Sequence, residues 1–537
     1  MAFYRSHILV CSDMSCMAEE SAAIQAALIN EMKLKGLAGK IKIIETGQMG
    51  NSNNAPMMIV YPEGVVYHPL TEADIPEIVE EHLVQGRIID RLLYRPSASD
   101  EATSRPGAAR EERVILRNVG LIDPRSIVDY IAVGGYQALR LALTQMTPDQ
   151  VIDTIKASGL RERDSDAFPT GLKWGVVRGT ASDEKHLICT TEIGEPGNFK
   201  DRAILEGDPH TIVEAMIIAG YAIGDTEGYF YIRDANYQSL ELLELAITNA
   251  RDAGLLGTDI FGSGFDFDIS IFKGSGGYVC SQDTALIESI EGRRAEVRTE
   301  PPFAYTSGLW GKPTAIDTVE TLASVPQIIL NGPKWFNAIG TEKSFGTKLY
   351  STCGDVLHPG VYEVPFGATL REVIYGLAGG TRSGRQFKAA IVGGPTGVCV
   401  GKESLDRSFS YEDLSPGTGG LTVIDEDKCI VDLVHSIVKF LANESCGQCV
   451  PCREGTKRMV EILDTCIAGN GSSEDIDLLT ELSNNLALTS KCKLGQSAGN
   501  AFLSSLDLFE SEYRAHVGEG KCPTKRCILC GGTSENG

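Results

Sequence analysis

The chain has 537 residues, 42% apolar and 23% charged, which are ordinary globular values, and at roughly 150 residues per domain its length predicts three or four domains. Its 49 Lys+Arg against 72 Asp+Glu give a formal charge of -23, which opposes binding to phosphate backbones or anionic lipid and argues against nucleic acid as a partner. The longest apolar run, around Ala215 to Ile223, is far shorter than the ~20 residues that span a bilayer.

No membrane insertion is therefore expected. The N-terminal Met-Ala-Phe-Tyr-Arg-Ser-His lacks the pattern of a signal peptide, and the chain is expected in the cytoplasm.

In chain order, residues 1–95 alternate short β-branched runs (His7-Ile-Leu-Val, Lys40-Ile-Lys-Ile, Met58-Ile-Val-Tyr) with helical stretches near Met17 to Lys33 and Ile75 to Gln85. That order predicts a small thioredoxin-like unit. Residues 96–112 are polar and unpatterned, a linker. Over 113–335 strands and helices alternate as in a Rossmann-like α/β sheet with a nucleotide-sized crevice. Residues 336–420 predict a β-grasp-like module: a strand at Leu349-Tyr-Ser-Thr, a turn at His358-Pro-Gly, a strand at Val361-Tyr-Glu-Val and a helix from Thr369. From 421 to 537 the pattern is helical. The fold class is multidomain α/β.

Fifteen cysteines without an export signal are expected to be thiols or metal ligands, and eight of the fifteen lie from Cys446 onward. Cys446-Gly-Gln-Cys449-Val-Pro-Cys452 places three thiolates at two-residue spacings, with Cys492 as a remote fourth. Three close thiolates cap one face of a cubane and a distant one closes the last corner, so a 4Fe-4S cluster is the expected occupant. A four-cysteine zinc site is the competing reading, but zinc usually draws its ligands as two separated pairs.

Several segments carry a resemblance to the NADH-binding flavoprotein subunit of respiratory complex I. They are Glu444-Ser-Cys-Gly-Gln-Cys-Val-Pro-Cys-Arg-Glu-Gly-Thr, Ile204-Leu-Glu-Gly-Asp-Pro-His, Gly262-Ser-Gly-Phe-Asp-Phe-Asp, Ile290-Glu-Gly-Arg-Arg and Gly308-Leu-Trp-Gly-Lys-Pro-Thr. The sequence is still more similar to the homologous beta subunit of soluble electron-bifurcating hydrogenases. The resemblance implies FMN and NADH binding, an SLBB-type β-grasp module, and partner iron-sulfur and catalytic subunits.

At the implied flavin pocket the chain departs from the family. Where the family has Gly-Leu-Arg-Gly-Arg-Gly-Gly-Ala-Gly-Phe-Pro-Thr-Gly-x-Lys-Trp, which lets bare backbone approach the FMN phosphate, this chain reads Gly159-Leu-Arg-Glu162-Arg-Asp164-Ser165-Asp166-Ala167-Phe168-Pro-Thr-Gly-Leu-Lys173-Trp. Four glycines are gone and three carboxylates have arrived, which threatens both loop geometry and phosphate electrostatics. Thr190-Thr191-Glu192-Ile193-Gly194-Glu195 replaces a family segment whose Asn and acids hold flavin. Ser281-Gln282-Asp283-Thr284, Asp317-Thr318 and Glu300 mark further departures. Lys173, Glu195, Phe168 and Phe303 survive as a vestigial FMN/NADH pocket, and FMN is expected to be absent.

The relatives' N-terminal unit holds a 2Fe-2S cluster with four cysteines. Cys11 and Cys16 match the first pair, but the second pair corresponds to Gln48 and Ser52, so no 2Fe-2S cluster is expected. His516, Cys522 and Cys527, with Cys466, make a candidate zinc site that the hydrogenase relatives also suggest, against the alternative of a loose reactive tail; Cys530 is interchangeable with any of these thiols. Cys189, Cys280, Cys353, Cys399 and Cys429 read as packing residues. Gly393-Gly-Pro-Thr-Gly is by itself a turn signal.

The expectation is an electron-transfer subunit of a cytoplasmic oxidoreductase that carries one 4Fe-4S cluster in a disabled flavoprotein scaffold. The alternatives are an active NAD(P)H dehydrogenase (diaphorase) subunit and a structural assembly module.

Overall fold

The computed structural model describes residues 6–11, 18–37, 40–46, 56–61, 65–94, 113–191, 194–274 and 277–527. The expected linker over 96–112, and Cys16, Gln48, Ser52 and Cys530, lie outside them; of Cys11 only the backbone, at the end of a strand, is described. The N-terminal unit contains β1 (Ser6–Cys11), a helix Ala18–Leu34, β2 (Ile41–Thr46), β3 (Met58–Tyr61), β4 (Val65–Tyr67) and helical residues Ile75–Glu77 and Ile78–Val84. Its sheet order is β2-β1-β3-β4, with β1 and β2 parallel and β1 and β3 antiparallel. Ile24, Leu28 and Met32 recur every four residues along the helix and bury one stripe against Ile8, Val10 and Val60, which is why this short segment folds over the sheet.

The second unit is built on a parallel sheet ordered β7 (Asp268–Gly274), β6 (Glu227–Arg233), β5 (His186–Thr190) and β8 (Thr314–Thr318). Every residue of β5 and β8 is buried, as expected when helices cover both faces. The apolar run at Ala215 to Ile223 is the latter part of a core helix, Pro209–Ile223, in which all residues but Tyr221 are buried. Asp208 caps its first turn by accepting from Thr211 N at 3.3 Å, and Gly224, at φ +86°, ends it. Among the described residues no helix is long and apolar enough to cross a membrane.

The third unit is a five-stranded mixed sheet, β10 (Gly360–Pro365), β9 (Thr347–Gly354), β13 (Gly420–Asp425), β11 (Phe387–Val392) and β12 (Val398–Val400). The predicted Leu349 and Val361 strands pair antiparallel in it, with Tyr362 opposite Tyr350. The central strand β13 lies parallel to β9 and comes from residues 420–425, just beyond the segment in which sequence placed this module. Helices Ile430–Asn443, Val450–Ile467, Ser473–Thr489 and Asn500–Gly518 then form a bundle.

Buried carboxylates join the units. The Glu363 carboxylate on β10 accepts from the amides of Val114 (3.0 Å), Ile115 (2.9 Å) and Leu116 (2.8 Å) and from Thr347 Oγ1 (2.5 Å), pinning the start of the second unit to the third. Each buried donor that loses its partner costs about 1 kcal/mol or more. Glu363→Ala is therefore expected to destabilise the chain by on the order of 3 kcal/mol, and Glu363→Gln, which keeps one acceptor oxygen, by less. Urea unfolding followed by tryptophan fluorescence, to which the buried Trp174 contributes, checks this ordering.

Candidate functional site: a cavity that abuts a cysteine cluster

Cys449 is the N-cap of helix Val450–Ile467 and Cys492 the N-cap of the short helix Lys493–Gln496, so both sulfurs sit where unpaired amides and the helix dipole favour negative charge. Gly447, at φ +78°, makes the turn that lets Cys446 and Cys449 face one site. Arg294 Nη2 and Arg453 Nη1 each hold a carbonyl of this turn at 2.6 Å, those of Cys446 and Gly447. The four thiols lie within electrostatic reach of one another. Burial, reinforced by Cys449, Cys492 and Cys446, pushes the Cys452 thiol up to about 11, against the hydrogen bond from Ser445. Burial likewise raises Cys492, opposed by the amides of Gly495 and Leu494. Cysteine ligands give up their protons when iron supplies the compensating charge, so the donor set fits the predicted 4Fe-4S cluster, which when bound accepts and releases single electrons.

Cys446 and Cys492 pack against an apolar cluster of the second unit that includes Tyr231, Cys280 and Ile287. Cys492 also lines a cavity of about 790 Å3 that opens at the C-terminal ends of the parallel strands, and the surviving Phe168, Lys173, Glu195 and Phe303 line the same cavity. The four residues singled out by sequence are thus brought together beside a cluster ligand. The divergent positions Asp164, Asp166, Thr191, Ser281, Gln282, Asp283 and Glu300 share its wall, whereas Glu192 and Ile193 lie outside the described residues.

Lys173 is 6% exposed, and its ammonium is 2.9 Å from both Glu162 Oε1 and Asp317 Oδ1. It also donates to the carbonyl of Ile316. Thr170 Oγ1 donates to Glu162 at 2.9 Å and Trp174 Nε1 to Asp317 Oδ2 at 2.9 Å, so both carboxyls are fixed. Burial works against the Lys173 charge, but Asp317 and Glu162 together hold its pKa above the usual range. Burial lifts Glu162 well above the usual carboxylate range despite Lys173. One ammonium facing two carboxyls leaves no positive charge to spare.

In the altered loop, Asp164 Oδ1 accepts from the amides of Asp166 (2.8 Å) and Ala167 (3.0 Å). Ala167 stands at φ +50°, a left-handed conformation that favours the glycine found there in the family. Asp166 faces Lys493 at 3.6 Å, and burial together with Asp164 raises its pKa. Glu195 is buried between Thr418 Oγ1 (2.7 Å) and Asn198 Nδ2 (3.0 Å), and burial pushes its carboxyl up to about 7.

Two features escaped the sequence reading. A Cβ at Gly394 would stand 1.5 Å from Glu195 Oε1, so the Gly393-Gly-Pro-Thr-Gly segment is bare because a carboxylate lies against it. Tyr305 stacks between Phe168 (centroids 5.7 Å, planes 19° apart) and Phe303 (5.2 Å, 16°), filling the space between the two surviving aromatic rings.

The C-terminal ligand set needs a correction. His516, Cys522 and Cys527 do come together, but the fourth member is Cys429 and not Cys466, with all four ligand atoms within 4.8 Å of one another. Cys466 points instead into the helical core, its Sγ placed where a Cβ on Gly471 would stand 3.1 Å away, and burial pushes its thiol up to about 11. Cys429, read from sequence as a packing residue, is the N-cap of helix Ile430–Asn443, and packing of that helix on Asn500–Gly518 carries it to His516. His516 Nδ1 is engaged by the Glu512 carbonyl at 2.6 Å, which turns Nε2 toward Cys527 (3.2 Å) and Cys429 (3.5 Å). Hydrogen bonds from Cys527 and then His516 hold the Cys429 thiol down to about 4, while Cys527 is pushed up in exchange. Cys189 and Cys399 are core residues and Cys353 is half-buried, whereas Cys280 also borders the cavity.

The family model for the Nuo51 FMN-binding domain matches residues 155–327, that for the NADH-ubiquinone oxidoreductase-F iron-sulfur binding region residues 432–516, and that for the thioredoxin-like [2Fe-2S] ferredoxin residues 3–83. The NADP-reducing hydrogenase subunit HndC of Solidesulfovibrio fructosivorans is 48% identical over 423 residues, 78% of this chain and 86% of that one. The F 2 subunit of the NADH-quinone oxidoreductase of Rhizobium meliloti is 42% identical over 417 residues, 77% of this chain and 99% of that one. A crystal structure of NAD+-reducing [NiFe]-hydrogenase in the H2-reduced state matches with a TM-score of 0.68 at 29% identity, covering 96% of this chain and 84% of that chain. Cys492→Ala is expected to abolish the broad visible absorption and iron content of the cluster, while Cys280→Ala, which alters the same wall without touching the ligand set, keeps both. From its domains and its relatives, the chain belongs to the family of NADH-quinone oxidoreductase F and hydrogenase HndC subunits.

Proposed function

We propose that this chain is the electron-transfer subunit of a cytoplasmic multisubunit oxidoreductase, with one 4Fe-4S cluster on Cys446, Cys449, Cys452 and Cys492 in a flavoprotein scaffold that no longer holds FMN or NAD(P)H. The observation that carries this reading is Lys173 held between Glu162 and Asp317 at 2.9 Å each. The most buried cation on the cavity wall is already satisfied by two carboxyls supplied by the chain itself. Asp164 does the same to the loop, its carboxylate taking the amides of Asp166 and Ala167 that a phosphate would need. A phosphate placed ~4 Å from one carboxylate meets about 4 kcal/mol of repulsion at an effective dielectric near 20. Two such contacts equal the roughly 8 kcal/mol of a micromolar affinity.

On this reading electrons enter and leave through the cluster, exchanged with iron-sulfur and catalytic subunits such as those of the electron-bifurcating hydrogenases the chain resembles. On this reading the N-terminal unit holds no 2Fe-2S cluster, because in the sequence Gln48 and Ser52 replace the relatives' second cysteine pair. A tetrahedral zinc ion on Cys429, His516, Cys522 and Cys527 ties the terminal segment to the helical bundle, one imidazole and three thiolates being a common zinc donor set.

A second reading, an active diaphorase passing electrons from FMN to the cluster, is favoured by the cavity itself. Its volume of about 790 Å3 is ample for a cofactor, and its wall runs from Lys173 to Cys492.

Titration of FMN into the purified chain, followed by quenching of flavin fluorescence, separates the two. The wild-type chain is expected to show no saturable binding at micromolar FMN, and the triple variant Glu162→Gly, Asp164→Gly, Asp317→Asn to gain it by at least tenfold in affinity. Stoichiometric wild-type binding in that range establishes the diaphorase. For zinc, Cys429→Ala is expected to lose the metal by elemental analysis and Cys466→Ala to keep it.

A further inference from the structure

The turn that carries three of the cluster cysteines also carries Ser445, whose hydroxyl lies 3.2 Å from Cys452 Sγ. Ser445 Oγ simultaneously accepts the backbone N–H of Gly447 at 3.3 Å. A hydroxyl has one proton and two lone pairs. As an iron ligand Cys452 would be a thiolate with no proton of its own, so in this contact the Ser445 hydroxyl is the donor. The segment has little freedom to turn away: Glu444 Oε2 accepts from Tyr278 N at 2.6 Å on one side of Ser445, and Arg294 holds the Cys446 carbonyl at 2.6 Å on the other. Cys452 is 5% exposed, so water has scant access to its sulfur.

When a 4Fe-4S cluster is reduced, one electron arrives from a low-potential one-electron donor and part of its charge spreads onto the cysteine sulfurs. The Ser445 proton stays on oxygen throughout. A hydrogen bond to a sulfur that becomes more negative is stronger in the reduced state and therefore favours reduction. We propose that Ser445 sets the reduction potential of the cluster by donating its hydroxyl proton to the Cys452 thiolate. It is a positioning residue for charge and binds no iron. The Arg294 and Arg453 contacts in the same turn end on carbonyl oxygens, and their side chains are not assigned this role. The inference rests on the four-cysteine site alone and holds whether or not the cavity contains flavin.

The test is a reductive titration of the full chain in its complex, monitored by the EPR signal of the reduced cluster. Removing the bond in Ser445→Ala is expected to make reduction about tenfold less favourable, a shift of about 59 mV to lower potential for one electron, with Ser445→Thr remaining close to wild type. A Ser445→Ala potential equal to or above wild type overturns the proposal. Should the alanine variant shed iron, the isosteric pair Ser445→Thr and Ser445→Val isolates the hydroxyl: the valine variant is expected at the lower potential, and equal potentials overturn the assignment. Loss of iron from both hydroxyl-free variants also overturns it, in favour of a purely structural role.

Discussion

The site depends on one buried ion triad, the Lys173 ammonium clamped between Glu162 and Asp317. Two buried acids facing one base need further partners to be stable, and here the neighbours supply a hydrogen bond to each. Thr170 donates to Glu162 and Trp174 to Asp317. The triad joins the loop after Gly159, the helix Thr170–Gly179 and the end of β8. It thereby forms part of the wall of the crevice that an α/β sheet of this topology offers a ligand.

The loop bearing Glu162 and Asp164 is over-determined by its surroundings. Glu162 N donates to the Phe168 carbonyl at 2.8 Å, Arg163 N to Thr321 Oγ1 at 2.9 Å, and Lys348 Nζ to the Arg163 carbonyl at 2.7 Å. The Arg163 guanidinium lies over the Phe366 ring at 4.9 Å. Lys348 belongs to a further buried network in which Glu320 meets Lys348 at 2.6 Å and Lys200 at 3.3 Å, so the second and third units fix the loop from both sides. Its backbone is thereby held in place by hydrogen bonds from both units.

The parts of the molecule legible in the sequence were those encoded by local pattern. The strand and helix order of the N-terminal unit, the paired strands around Leu349 and Val361, and the cluster motif from Cys446 to Cys452 all follow from spacing within a few residues. What escaped was set by long-range packing. Cys429 joins His516 across 87 positions, with no short spacing to betray it, and Cys466 drew attention because it lay between the cluster ligands in sequence although it faces the core. β13 pairs with β9 although nearly seventy residues separate them, and the acceptor that makes Gly394 necessary, Glu195, comes from another domain. Tyr305 was invisible because a stack of three rings from two segments has no periodicity.

The central claim, that carboxyls of the chain itself occupy the positions a phosphorylated flavin would need, is tested most directly by acid extraction and quantification of flavin from the chain purified within its native complex and separated from its partners. The account predicts iron and sulfide of one 4Fe-4S cluster per chain with flavin far below one equivalent. One equivalent of FMN released from this chain would contradict it.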